Sequence, residues 1–310
     1  MTAGRPRTVD LAGPVHVVEY GSGRPPIVCV HGLGGSAADW QLLAPRLAAD
    51  RRVVALDLPG FGVTPLAGRS ATIAHLRALL DRFLREHIGE PAVLVGNSMG
   101  AMLAVLQAVR CPASVDRLVL LSPVVPISAR RLPHVLTVGQ FLVYATPRIG
   151  ESFVRARRRR ISPAALVDTT LRYIAFEPDR IPRSVVEERT RLAQRRAGDP
   201  TGDRAFLSAV RSLLGLLATS RRYRRHLDQV AVPVLVVHGD RDRLVSARAV
   251  RSTTTDRKDW TVVVLDEVGH VPQLEAVDDV TVIMRDWLQL PRASSADSAV
   301  PGQAVAGSWV

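Results

Sequence analysis

Cysteine is nearly missing from this chain: Cys29 and Cys111 are the only two among 310 residues. Two cysteines give no disulfide framework of the kind that small secreted domains depend on, so a reduced, cytoplasmic protein is expected. Long apolar runs are missing as well. The longest nearly apolar stretch, 93–109, contains Asn97, Ser98 and Gln107, and reads as a buried strand plus a buried helix rather than a membrane span. Residues 1–13 lack the apolar centre of a secretory signal. Aromatic residues make up only 5% and are not interleaved with the arginine run Arg157–Arg160. With no nucleic-acid-binding motif beside that run, no specific nucleic-acid partner is expected. Lysine is reduced to Lys258 alone, so arginine carries the positive charge. Internal repeats are absent too.

Hydrophobic residues, at 47%, are enough for a sizeable core, and the length suits one large α/β domain with an insertion. Val9–Leu11 and Val15–Tyr20 read as a hairpin around Ala12–Gly13–Pro14. Continuous apolar strands follow at Pro26–Val30, Arg52–Leu56, the run ending at Gly96, and Leu118–Leu121, with helical patterns at about Asp39–Leu47, Thr72–His87 and Ala101–Val109 between them. Such alternation predicts a mostly parallel sheet covered by helices on both faces. It breaks at Pro123. From 124 to 228 only helix signals appear: Ser162–Pro163 as a cap with proline at the first position, Ser184 to Glu187 as a capping box, and Asp203 as the cap of a helix whose Phe206, Val210, Leu213, Leu214 and Leu217 make one apolar face. Strands resume at Val232–Val237 and Thr261–Leu265, with helices near Ala247–Thr255 and Ala276–Leu290. The expected organisation is a core of 1–123 and 229–290, a helical cap of 124–228, and a disordered Ser/Ala/Gly-rich tail of 291–310.

Gly96-Asn-Ser-Met-Gly100 sits where an apolar strand turns into a helix, the context of a nucleophile elbow. The turn strains the serine backbone, so its neighbours must be small, and the amide of Met99 opens the helix where an oxyanion would form. A serine hydroxyl needs a base and a group to orient that base. Both belong in loops after the carboxyl ends of strands. One such loop holds Asp240 and Asp242, the next holds His270.

The chain order Ser98, acid, His270 resembles the α/β-hydrolase family. So do His31-Gly-Leu-Gly-Gly35, Asp57-Leu-Pro-Gly-Phe-Gly62, Gly239-Asp-Arg-Asp242 and Gly269-His-Val-Pro-Gln-Leu-Glu275. The resemblance implies Ser98 as nucleophile, His270 as general base and Asp242, rather than Asp240, as orienting acid. It places the oxyanion hole at the amides of Leu33 and Met99, with Gly32, Gly34 and Gly35 letting that loop approach the substrate. No metal or organic cofactor is implied. His31, His238 and Asp57 are read as structural, and Glu275 as a cap or brace of the last helix. Serine at the nucleophile position argues against epoxide hydrolysis and dehalogenation, which need a carboxylate there. Asn97-Ser98-Met99 also resembles the elbow of meta-cleavage carbon–carbon hydrolases, although Val271 stands where those usually have tryptophan after the histidine.

The expected activity is hydrolysis of a small or lipid acyl ester, with Leu213 and Leu217 lining the acyl site. Carbon–carbon hydrolysis and acyl transfer by the same residues are the enzymatic alternatives. A ligand-binding scaffold that has abandoned chemistry is the non-enzymatic one, and the intact Ser/Asp/His set weighs against it. The net charge of +12 resides entirely in 124–228, which holds 21 Arg against 9 Asp and Glu; the remainder has 20 basic and 20 acidic residues. Two clusters, Arg155 with Arg157–Arg160 and Arg221, Arg222, Arg224 and Arg225, are expected to hold the cap against an anionic inner-membrane surface.

Overall fold

A computed structural model describes residues 3–126 and 135–289. The tail expected at 291–310 lies outside the described residues. Eight strands form one sheet: β1 (Arg5–Asp10), β2 (Pro14–Tyr20), β3 (Ile27–Val30), β4 (Val53–Leu56), β5 (Ala92–Asn97), β6 (Val115–Leu121), β7 (Val234–Gly239) and β8 (Trp260–Leu265). Their order is β1-β2-β4-β3-β5-β6-β7-β8, with β1, β2 and β4 antiparallel neighbours and every later pairing parallel. The core helices are α1 (Ala44–Leu47), α2 (Ile73–Phe83) and α3 (Met99–Arg110). Between β6 and β7 come α4 (Val135–Ala145), α5 (Ile149–Arg160), α6 (Pro163–Ile174), α7 (Arg183–Arg196), α8 (Pro200–Ala218) and α9 (Ser220–Asp228). After β7 follow α10 (Ala247–Thr254), α11 (Pro272–Glu275) and α12 (Val277–Gln289). This is the mostly parallel, helix-flanked α/β architecture that the alternation predicted.

Period-two alternation decides which face each strand residue serves. Val28, Val30, Leu94, Val234 and Val236 join the apolar layer under α2 and α3, whereas Ile27, Cys29, Val93, Val95, Leu235 and Val237 join the layer under α1 and α12. Both faces are buried, and for that reason these strands read as unbroken apolar runs. Among the six α-helices described between β6 and β7, α9 returns to the sheet: Tyr223 and Leu227 lie in the same layer as α3, and the Tyr223 hydroxyl donates to the Val124 carbonyl at 3.3 Å.

Two helix starts differ from the sequence reading. α7 begins at Arg183 behind Pro182, one residue before the expected cap, so Ser184 lies inside the helix; Glu187 accepts from Arg183 at 3.0 Å instead of closing a capping box. α8 is capped by Asp199, whose carboxylate accepts the Thr201 amide at 2.8 Å, because Pro200 fixes the first helical position. Asp203 lies inside that helix and pairs with Arg158 at 3.1 Å. Ser162 does cap α6, accepting from the Ala165 amide at 3.2 Å.

The register assembles the site. Val30 lies opposite both Leu56 and Gly96, Asn97 opposite Leu121, and Gly239 opposite Leu265. The parallel strands therefore end level with one another. The loops that begin at His31, Asp57, Ser98, Asp240 and Asp266 gather along one edge of the sheet.

Candidate active site

Ser98 links β5 to α3 with φ 54° and ψ −112°, a backbone conformation that non-glycine residues rarely hold. Neighbouring hydrogen bonds fix it there: the Ser98 amide donates to Leu121 O at 3.0 Å, and its carbonyl accepts the Met102 amide at 3.2 Å. The turn is tight enough to dictate its own sequence. A Cβ on Gly100 would collide with the Val30 carbonyl oxygen, and one on Gly96 with the backbone of Gly100 and Ala101. Since Met99 is the first residue of α3, its amide has no acceptor within the helix.

Burial brings the acid and the histidine together. Asp242 (7% exposed) and His270 (4%) are both buried, and His270 Nδ1 lies 2.7 Å from Asp242 Oδ2. The carboxylate accepts, so Nδ1 carries the proton and Nε2 is left as the basic nitrogen. Asp242 Oδ1 is held by the Leu244 amide at 2.8 Å and the Val245 amide at 2.9 Å. Burial alone would raise the Asp242 carboxyl. The charge and hydrogen bond of His270, His238 and the Val245 amide outweigh burial and hold it below the usual carboxylate range.

Asp240 is directed elsewhere, its carboxylate 3.2 Å from Arg241 Nε. His31 uses both ring nitrogens in hydrogen bonds, and His238 uses Nε2. His238 Nε2 donates to Val245 O at 2.8 Å. His31 donates through Nδ1 to Gly32 O at 2.7 Å and accepts the Leu58 amide on Nε2 at 3.1 Å. Burial lowers both imidazoles below the ordinary histidine range. Asp57 is structural as read, accepting from Ala37 at 2.6 Å and Val63 at 2.7 Å.

The loop His31–Gly35 lies against the elbow, and a Cβ on Gly32 would come within 3.4 Å of Ser98 Cβ. Ser98, His270, Gly32, Leu33 and Gly34 all line one cavity of about 800 Å³. Its walls are mostly apolar, and Phe141, Phe206, Leu213, Leu214 and Leu217 come from the helices between β6 and β7. Leu213 and Leu217 also pack into the layer beneath the sheet. They serve the wall and the core at once.

An Alpha/beta hydrolase family model matches residues 27–282. The chain belongs to the α/β-hydrolase family. This α/β-hydrolase is 30% identical over 265 residues to a pimeloyl-[acyl-carrier protein] methyl ester esterase of Aromatoleum aromaticum, covering 85% of this chain and 98% of that protein. It is also 30% identical over 271 residues to the dihydrolipoyllysine-residue acetyltransferase component of the acetoin cleaving system of Pseudomonas putida. That match takes in 87% of this chain but only 65% of the relative, so the chain spans about two thirds of that longer protein. Among solved structures it resembles Cfl2 of Burkholderia cenocepacia, with TM-score 0.76, 25% identity and coverage of 92% and 95% of the two chains.

Four side chains of this α/β-hydrolase make contacts that were not visible in its sequence. The Asn97 side-chain amide donates to Leu121 O at 3.2 Å and to His270 O at 3.1 Å, joining the elbow to the histidine loop. Two arginines that the sequence showed only as part of the charge of 124–228 tie α7 to the segments that follow β3 and β4. Arg189 pairs with Asp39 at 2.5 Å, and Arg196 donates to the carbonyls of Gly60 and Gly62. Glu275, expected to cap or brace the last helix, instead ties the histidine loop to the segment after α6. Its carboxylate accepts the amides of Gly269 at 3.1 Å, Phe176 at 2.7 Å and Glu177 at 3.4 Å, while the His270 amide donates to Ile174 O at 2.7 Å.

Removing that acceptor leaves buried donors unpaired, so Glu275→Ala should cost about 1–3 kcal/mol in denaturant unfolding. Glu275→Gln retains a carbonyl acceptor and should cost less. Burial raises the Glu275 carboxyl, with the amides of Phe176, Gly269, Glu177 and Val271 opposing it. A carboxyl raised on folding contributes most at low pH, and that contribution is lost as pH rises through the raised value. The advantage of wild type over Glu275→Gln should therefore shrink with rising pH. A gap that widens would contradict this account.

Proposed function

We propose that this hydrolase cleaves carboxylic esters through an acyl-enzyme on Ser98. The observation that carries the reading is the 2.7 Å bond from His270 Nδ1 to Asp242, beside a strained serine in the same largely apolar cavity. His270 Nε2 takes the Ser98 hydroxyl proton as Oγ bonds to the ester carbonyl carbon. The oxyanion receives the amides of Leu33 and Met99, and collapse of the intermediate expels the alcohol, which leaves with the proton from Nε2. Water then gives a proton to Nε2 and adds to the acyl carbon. The second collapse frees the acid and returns the proton to Ser98. The helices over the cavity act as a cap in this reading and select the acyl group.

A second reading is hydrolysis of a carbon–carbon bond in a vinylogous 1,5-diketone bearing an acid group. Arg157 favours it: this cavity-lining guanidinium lies 3.3 Å from the Tyr144 hydroxyl and has no carboxylate at ion-pair distance among the described residues. Passage of the same acyl group to an acceptor alcohol in place of water would use identical residues.

The test is a panel of p-nitrophenyl esters of graded chain length, run beside a vinylogous diketone. Turnover of the esters with a preference for longer acyl chains is the expected result. Leu213→Phe and Leu217→Phe, which narrow the apolar wall, should move that preference toward shorter chains. Cleavage of the diketone alone would overturn the ester reading. Lower stability with an unchanged chain-length profile would assign both leucines to packing only.

A further inference from the structure

Large apolar side chains on the described surface are few, and three of the most exposed cluster on one helical hairpin. Leu142 is 61% exposed, Ile149 57% and Phe153 42%. Leu142 stands in the last turn of α4, Ile149 opens α5, and only 146–148 separate the two helices. A connection that short makes α4 and α5 antiparallel neighbours and brings Leu142 and Ile149 to the same tip. Phe153, four residues beyond Ile149, continues the same side of α5, and Arg160 lies seven residues beyond Phe153 on that stripe. Leu142 also lines the cavity that contains Ser98. Leu142 thus joins the apolar tip to the wall of that cavity.

The charge along this hairpin is largely uncompensated. Glu151, the one acid of α5, is held by Arg211 of α8 at 2.8 and 3.0 Å. Arg158 turns inward to Asp203. Arg148, Arg155, Arg159 and Arg160 are exposed, and among the described residues none has a carboxylate at ion-pair distance; Arg155 donates only to Ser152 Oγ, at 3.3 Å. Arginine stems lie along apolar surface while their planar heads take phosphate oxygens two at a time.

We propose that the α4–α5 hairpin docks this protein on an anionic lipid surface, with Leu142, Ile149 and Phe153 entering the headgroup–acyl boundary and the surrounding arginines on lipid phosphates. Three side chains at a hairpin tip are far short of the roughly 800 Å² per partner of a stable protein interface. They are enough for a reversible interfacial anchor when cations surround them. No helix among the described residues is long and apolar enough to cross a membrane. Docking on this face brings the cavity wall at Leu142 to the lipid, so an acyl substrate could pass to Ser98 without crossing water. Charge alone, expected from the arginine clusters, omits the apolar anchors. The proposal deepens the ester reading by naming a membrane source for the substrate, but its test does not rely on turnover.

Flotation of Ser98→Ala protein with vesicles of phosphatidylcholine, with and without phosphatidylglycerol, separates docking from hydrolysis. Binding is expected to the anionic vesicles only, and to weaken with salt as the Debye length shrinks. Ile149→Ser together with Phe153→Ser should weaken it by about tenfold, and Arg155→Gln together with Arg159→Gln should flatten the salt dependence. Ile149→Ser alone, away from the Tyr144–Phe153 ring contact, guards against misfolding, and an unchanged melting temperature certifies each variant. Three results would each overturn the proposal. One is equal binding to neutral vesicles, and another is anionic binding indifferent to folded Ile149/Phe153 variants. The third is self-association in light scattering that those variants abolish, which would make the face an interface between copies of this chain.

Discussion

Ser98→Ala should reduce kcat by on the order of 10⁶, the loss seen when a serine protease is deprived of its nucleophile. The substitution is structurally mild. Alanine keeps a Cβ at the same positive φ, so the strain of the elbow persists and the melting temperature should stay within about 2 °C. What disappears is the hydroxyl that attacks in the proposed mechanism. A fluorophosphonate probe reports the same chemistry without assuming a substrate: Oγ displaces fluoride, a phosphorus–oxygen bond forms, and the proton goes to His270. Peptide mapping should find the adduct on Ser98 and none on the variant. Equal labelling of the two proteins would place the nucleophile elsewhere.

Asp242→Asn should cost about 10⁴ in kcat, and Asp240→Asn very little. The hydrogen bonds around Asp242 explain the size of the effect. Oδ1 is fixed by two amide donors, from Leu244 and Val245. An asparagine must therefore keep its carbonyl oxygen there and turn its NH₂ toward His270. Nδ1 can accept that hydrogen only by losing its own proton, so the proton moves to Nε2. The nitrogen that should receive the serine proton is then already protonated. Asp240 has no such link, since its carboxylate faces Arg241 at the surface. Steady-state kinetics on a soluble ester decide the matter, with circular dichroism as the folding control. A larger loss in Asp240→Asn than in Asp242→Asn would reverse the assignment of the acid.

The readable parts of the site were those in which local chemistry leaves little choice. The elbow could be found because steric exclusion writes itself into sequence: Gly96 and Gly100 have no room for a Cβ. The strand runs could be found because parallel strands buried on both faces must be apolar throughout. His270 and the pair Asp240/Asp242 were confined to strand ends by topology, and the preference for Asp242 came from the family resemblance rather than from local pattern. That choice depends on which carboxylate the fold directs toward a loop 28 residues away.

Helix starts in the inserted segment were less legible, because prolines compete with capping side chains. Pro182 and Pro200 fix the entries to α7 and α8, leaving Ser184 and Asp203 inside their helices. Arginine roles were not legible at all. In sequence, Arg155, Arg158, Arg189 and Arg196 are alike. The fold pairs Arg189 with Asp39, 150 residues away, sends Arg196 to the carbonyls of a core turn, turns Arg158 inward, and leaves Arg155 exposed.

The sequence by itself determined the alternation of strands and helices, the elbow, and the order of serine, acid and histidine, since each follows from local sterics and periodicity. Only the tertiary structure decided which arginines are tied down and where Glu275 finds its donors. Those contacts join segments far apart in the chain, and their geometry exists only once the sheet has set its strand ends level and the helices between β6 and β7 have packed against the loops there.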